Sequence, residues 1–264
     1  MRALRVLLTN DDGVNAEGLR ALERIAAHLS DDVWLVAPES EQSGVSRALT
    51  LNQPLRVRHL GGERRFAVSG TPGDCVTLGV LELMKDAPPD LVLSGVNRGH
   101  NLAEDVTRSG TVAAAIEGMA LGVPSIALSQ ALTYSAGASS VDFSAAEAFA
   151  PGIIKRLVEV GWPSDVVINI NFPGRPPGEI EAVEVTRQAF RDVQTRDLER
   201  RTDLRGGDYF WLGYRNIRSQ PADGTDLRAF YDGRISVTPL HIDLTHMPTV
   251  HALKAVLGGP PPAA

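Results

Sequence analysis

Five apolar runs, Leu4–Thr9, Asp32–Ala37 (DVWLVA), Asp90–Ser94 (DLVLS), Pro124–Leu128 and Asp165–Asn171 (DVVININ), are separated by stretches with helical spacing. A strand that is apolar almost throughout is buried on both faces, so this alternation predicts an α/β fold: a mainly parallel sheet with helices above and below it. The helices expected are Glu17–Leu29, with Leu19, Leu22, Ile25, Ala26 and Leu29 on one face, and a second opened by Thr71-Pro72. There Thr71 is an N-cap, Pro72 takes the first helical position and Asp74 completes a capping box; Val76, Val80, Leu83 and Met84 form the apolar face. An alanine-rich helix follows Ser109-Gly110-Thr111 and stops at Gly122, and Ala145–Val160 supplies another. Pro38–Ser46 is a polar loop, with short β-like pieces around Leu49–Leu51, Leu55–Leu60 and Arg65–Val68; the DLVLS strand is expected to end at Gly95.

The chain changes character near residue 180, and we expect a catalytic core over 1–180 and an extension over 181–264. Phe172–Gly178 is a turn-rich connector and Glu179–Thr186 is strand-like. Arg187–Thr225 is polar and arginine-rich, with aromatics at Tyr209, Phe210, Trp211 and Tyr214; such a segment builds no core alone and suits a projecting hairpin that packs on another subunit. Arg234–Leu240 returns to strand pattern, Pro248–Leu257 reads as a closing helix, and Gly258–Ala264 as a frayed tail.

Asn10-Asp11-Asp12-Gly13 directly follows the first apolar run. Adjacent carboxylates at a strand end raise each other's pKa unless a cation or donor groups hold them, so the position calls for a divalent ion. Ligands of open α/β sheets bind at the C-terminal strand ends. The other residues expected there are Glu39–Gly44 with Ser43, Gly95–Gly99 with Asn97, and the Ser109-Gly110-Thr111 turn. The inventory is rich in hard oxygen donors and holds no Cys–His cluster, which favours magnesium, manganese or calcium over zinc. Ser109-Gly110-Thr111 reads either as an ordinary helix cap or as a phosphate cradle in which first-turn N–H groups face an anion. Its expected place beside Asn97 and opposite the aspartates favours the cradle.

Composition narrows the field. A net charge of −6 provides no basic face for nucleic acid or an anionic membrane. Cys75 is the only cysteine, which removes intrachain disulfides and thiolate zinc clusters, and no run approaches membrane-span length. The Met1–Thr9 stretch is too short for a signal peptide, so a soluble, cytoplasmic protein is expected.

The segments Leu7–Gly13, Val36-Ala37-Pro38 with Ser43, Ser69–Val76, Ser94–Gly99, Ser109–Val112 and Val237–Leu240 occur in an order that resembles the SurE family, the stationary-phase survival protein and 5′-nucleotidase. The resemblance implies a Rossmann-like three-layer αβα core with a C-terminal arm used in a homodimer or homotetramer. It implies hydrolysis of nucleoside 5′-monophosphates, with 3′-monophosphates and polyphosphate as further substrates, and one divalent ion per subunit, magnesium or manganese. By motif position the metal ligands map onto Asp11, Asp12, Ser43 and Asn97. The phosphate pocket maps onto Asn10, Gly13, Asn97, Ser109, Gly110 and Thr111. Asp11 and Asp12 are the catalytic candidates, with Asp11 preferred as acceptor of the water proton. One departure concerns the C-terminus: some relatives read Asp-Leu-Thr-Ala-His where this chain has Asp243-Leu244-Thr245-His246.

Two other classes share parts of the pattern. A receiver-type signalling module carries an acidic pair after its first strand but needs an Asp on a later strand and a lysine; here that strand end is Ser94-Gly95-Val96-Asn97, and the only lysines are Lys85, Lys155 and Lys254. A dinucleotide-binding oxidoreductase needs glycines where this chain has Asp11 and Asp12.

Overall fold

The structure, a computed structural model, describes residues 4–135, 138–193, 196–214 and 217–258. Its elements in chain order are β1 (Arg5–Thr9), α1 (Glu17–Ala27), β2 (Asp32–Pro38), β3 (Val57–His59), β4 (Arg65–Val68), α2 (Pro72–Leu78), β5 (Leu91–Arg98), α3 (Gly110–Ala120) and β6 (Ser125–Gln130). They continue with β7 (Thr133–Ser135), β8 (Ala138–Ser140), α4 (Ser144–Val160), β9 (Val167–Phe172), β10 (Val183–Val185), β11 (Arg196–Thr202), β12 (Asp208–Tyr214), α5 (Asp226–Tyr231), β13 (Ile235–Leu240) and α6 (Met247–Leu257).

Among the described residues, nine strands form one sheet in the order β10-β13-β9-β6-β5-β1-β2-β4-β3. The run from β9 to β4 is parallel throughout, while β3 and β13 pair antiparallel with β4 and β9. Alternation within the strands builds the two cores. Val6 and Leu8 of β1 face α1 and α4, joining Leu19, Leu22, Ile25, Ala146 and Ile154, all fully or almost fully buried. Leu7, between them, points to the opposite face and packs with Val76, Val80, Val92 and Ala114 of the α2/α3 side. This is the three-layer αβα arrangement. The chain leaves β1 toward β2 on one side and later returns to β5 on the other, so the strand order reverses between β1 and β5, the switch point at which open α/β sheets bind their ligands.

Helix α2 begins as its sequence specifies: Thr71 accepts from the Asp74 amide, and the Asp74 carboxylate accepts from the Thr71 amide. Several boundaries differ from expectation. Leu49–Leu51 is not a strand; it lies along the start of α2, with the Thr50 amide held by the Asp74 carboxylate. The DLVLS strand does not end at Gly95 but runs on to Arg98, with an irregular register between Ser94 and Asn97 and a cis Gly95–Val96 peptide. Helix α5 and the β7–β8 hairpin add to the expected elements, each being too short to leave a periodic signal.

β11 and β12 form the projecting antiparallel hairpin, and Tyr209, Phe210 and Trp211 of the aromatic cluster are exposed on it. The side chain of Tyr214 lies outside the described set, as do residues 259–264 of the expected tail and residues 1–3. β10 and β13 belong to the main sheet, and α6 buries none of its residues. Among the described residues no helix is long and apolar enough to cross a membrane.

Candidate active site

The end of β1 is buried. Asn10 is fully enclosed and donates from Nδ2 to the Gly13 carbonyl at 2.9 Å, closing a tight turn in which Gly13 adopts φ +94°. A Cβ at Gly13 would sit 3.1 Å from the Ser40 backbone, so the loop after β2 presses directly on the turn. That loop is also tied to the acid pair: the Gln42 amide donates to the Asp11 carbonyl at 2.7 Å, and the Val14 amide to that of Pro38 at 2.8 Å.

Asp11 is only 4% exposed, and burial raises its pKa to about 6. Bonds from Thr111 pull the value down and the charge on Asp12 pushes it up again. The Thr111 hydroxyl donates to Asp11 Oδ1 at 2.5 Å. The other oxygen, Oδ2, lies over Gly110: a Cβ there would approach it to 2.9 Å and the Asp11 Cβ to 2.8 Å. Helix α3 therefore docks its first turn on the Asp11 carboxylate, which only glycine permits. Asp12 is half-buried and also raised, by burial first and by the nearby Glu41 carboxylate, against a 3.0 Å bond accepted from the Arg98 amide.

Asn97 is half-buried near the end of β5, and its Nδ2 donates to the Gly99 carbonyl at 3.0 Å, so its carboxamide oxygen is the atom it can present to a cation. Ser43 is exposed, with its hydroxyl donating to Glu41 Oε1 at 2.9 Å. Ser109 is the N-cap of α3, accepting from the Val112 amide at 3.1 Å, so the cap reading of this serine holds as geometry. Capping leaves the first-turn amides without intrahelical acceptors. The strand ends thus bring Asn10, Asp11, Asp12, Gly13, Asn97, Gly110 and Thr111 together, with the Ser43 loop alongside.

The donor set fits a hard cation. Two carboxylates, both raised by burial, lie at one strand end, and the Asn10 Oδ1 atom is buried without a hydrogen-bond partner among the described residues. No group of three His, Cys, Asp or Glu side chains gathers among those residues, so any cation here takes carboxamide, hydroxyl or water oxygens beside the two aspartates.

Other polar residues at this end escaped sequence reading. Asn171 accepts from the Asn101 amide at 2.8 Å, and Asn101 donates to Ser129 Oγ at 2.9 Å, bracing the chain beyond Asn97. The alternation of asparagines in the buried VININF strand was the available signal. Asp226 and Arg191, which brace the turn before Ser109, carried none because their partners lie more than 80 residues away. His246 caps α6 and shares a 2.6 Å hydrogen bond with Thr249, facing its own helix.

The family model for survival protein SurE matches residues 6–195. A protein named 5′-nucleotidase SurE from Phenylobacterium zucineum is 70% identical over 98% of this chain and 99% of its own length. One of the same name from Caulobacter vibrioides is 66% identical, over 98% of each chain. The crystal structure of the SurE protein from Aquifex aeolicus superposes with a TM-score of 0.82 at 37% identity, covering 96% of this chain and 99% of that one. With the strand order, the acid pair at the switch point and these matches over nearly its whole length, the chain belongs to the SurE family.

Proposed function

We propose that the chain is a 5′-nucleotidase, a phosphomonoesterase that hydrolyses nucleoside 5′-monophosphates with the help of one divalent ion, magnesium or manganese. The observation that carries this reading is the docking of the first turn of α3 on the buried Asp11 carboxylate, which sets an anion-attracting helix start against an acid pair that needs a cation. The names of the 70% and 66% identical relatives supply the substrate class. Family membership leaves the receiver-type alternative without an observation in its favour.

Asp11, Asp12, the Asn97 oxygen and the Ser43 hydroxyl, which here donates to Glu41, would hold the ion. When bound, the ion supplies charge neutralisation for the phosphoryl oxygens and an acidified water. The first-turn amide at Gly110 and the Ser109 hydroxyl face the phosphoryl oxygens, where preorganised donors act on developing charge without reorganising, while Thr111 holds Asp11. Asn10 and Gly13 shape the floor of this pocket. Asp11 Oδ1 is fixed by Thr111, so Oδ2, over Gly110, is the atom that accepts the proton from the attacking water. The reading includes a cytoplasmic location, which rests on the lone cysteine, and a homodimer or homotetramer assembled through the exposed hairpin.

The test is phosphate release from p-nitrophenyl phosphate and from a panel of nucleoside 5′- and 3′-monophosphates, with magnesium, manganese or EDTA. We expect turnover with a divalent ion, favouring 5′-monophosphates, and a loss of about 100-fold or more in EDTA and in Asp11→Asn and Asp12→Asn. Full activity in EDTA, or in both variants, would overturn the reading.

A further inference from the structure

The turn Ala103–Thr107, a single 3-10 segment, leads straight into Ser109 and so sets where the cradle begins. It is an unfavourable piece of chain. Ala103 sits at φ +54°, a left-handed conformation that an alanine's Cβ disfavours. The next two residues, Glu104 and Asp105, are adjacent carboxylates in the turn directly upstream of the helix start proposed to receive a dianion.

Residues from the far end of the chain hold it in place. The Ala103 amide donates to Asp226 Oδ2 at 2.8 Å, and its carbonyl accepts from Gln188 Nε2 at 3.0 Å. Asp226 is fully buried and its second oxygen accepts from the Ala189 amide at 2.8 Å, while Leu102, Ala103, Ala189 and Leu227 form a small apolar cluster of their own. Arg191 completes the arrangement. Its side chain is 8% exposed and divides its guanidinium between the two acids, Nη1 to Glu104 Oε1 at 3.0 Å and Nη2 to Asp105 Oδ2 at 2.8 Å. The Arg191 amide adds a 3.1 Å bond to Glu104 Oε2. On the cradle side, the Asp105 carbonyl accepts from the Arg108 amide at 2.9 Å and the Ser109 amide at 3.1 Å, so the residue gripped by Arg191 also fixes the N-cap of α3.

We infer that Arg191, five residues before the hairpin strand β11, is a positioning residue for the phosphate cradle. It fixes the turn that delivers Ser109-Gly110-Thr111 and, together with Arg108, whose guanidinium pairs with Asp105 at 2.5 Å, balances two carboxylates that would otherwise repel a phosphate dianion. The base of the arm is thereby part of the substrate site as well as of any assembly. This rests on the phosphatase reading above for the substrate, but its physical content is phosphate affinity.

The experiment compares the full chain with Arg191→Met, Arg191→Lys, Glu104→Gln and the Arg191→Met/Glu104→Gln double variant, all with saturating magnesium. The readouts are kcat and KM for a nucleoside 5′-monophosphate and, independently of turnover, the Kd of inorganic phosphate by calorimetry. Arg191→Met is expected to raise KM and the phosphate Kd about tenfold or more while kcat changes less than about threefold. Arg191→Lys should recover part of the loss, since an ammonium restores charge but cannot fork between two acids. Glu104→Gln should partly rescue the phosphate Kd of Arg191→Met by removing one uncompensated carboxylate. A phosphate Kd within about twofold of the parent in Arg191→Met, or no rescue by Glu104→Gln, overturns the inference. Should Arg191→Met fail to fold, Arg191→Lys decides: a phosphate Kd about threefold or more above the parent supports the inference, and an unchanged one overturns it. If the parent binds phosphate with this dependence yet hydrolyses no nucleotide, the inference stands and the proposed function fails.

Discussion

Asp11 is placed where burial and an acidic neighbour both oppose its charge, with the Thr111 bonds only partly offsetting them. Its folded pKa of about 6 lies above the ordinary 3.8, so the protonated form is favoured by folding. The associated stability is fully present below pH 3.8 and is lost as the pH rises through 6, about 3 kcal/mol in all without a cation. In EDTA, Asp11→Asn should therefore be more stable than the parent, with a gap that widens between pH 4 and 6 and levels off near about 3 kcal/mol at pH 8. Saturating magnesium should reverse the order, because only the parent gains binding energy. Urea unfolding across this range checks it; a gap that ignores pH would contradict the assignment of the buried charge. The acid pair itself was legible in the sequence because two adjacent aspartates after an apolar strand have no ordinary structural use. Their inequality was not legible, since it comes from α3 covering Asp11 and leaving Asp12 half-open.

Among the elements, α3 shows how a helix start becomes a site. Ser109 is a cap like many others, and what distinguishes it is the close approach of the next residue, Gly110, where a Cβ would lie 2.8 Å from that of Asp11. Gly110→Ala forces helix and carboxylate apart. We expect it to lower kcat/KM by about 100-fold or more, in line with displacing reacting groups by an ångström, while the far-UV circular dichroism stays that of the parent. Near-parental kinetics would show that the close approach has no catalytic use. The capping box of α2 was readable from Thr71, Pro72 and Asp74 because all its partners lie within four residues. β5 outruns its local pattern for the opposite reason: the pairing that carries it to Arg98 is with Ser129 and Gln130 of β6, and local composition holds no trace of it.

At the scale of the whole molecule, a polar hairpin and an uncovered helix stand off a well-buried core. Phe210, Trp211, Leu198 and Leu212 are each about 60% exposed, an apolar surface that isolated chains seldom carry. If the proposed assembly runs through this hairpin, replacing Phe210 and Trp211 by Ser shifts the protein to a smaller species in light scattering at micromolar concentration while core secondary structure is kept; an unchanged mass would rule the hairpin out as its interface. The sequence by itself determined the layered sheet, since strands apolar on both faces admit helices on both sides, and it determined which residues crowd the strand ends. Tertiary structure alone decided that strand order reverses between β1 and β5, that Asp11 is more deeply buried than Asp12, and that Arg191 reaches Glu104 across 87 positions. Local patterns record which face of an element avoids water, whereas pKa values, close approaches and distant ion pairs arise only when elements pack against one another.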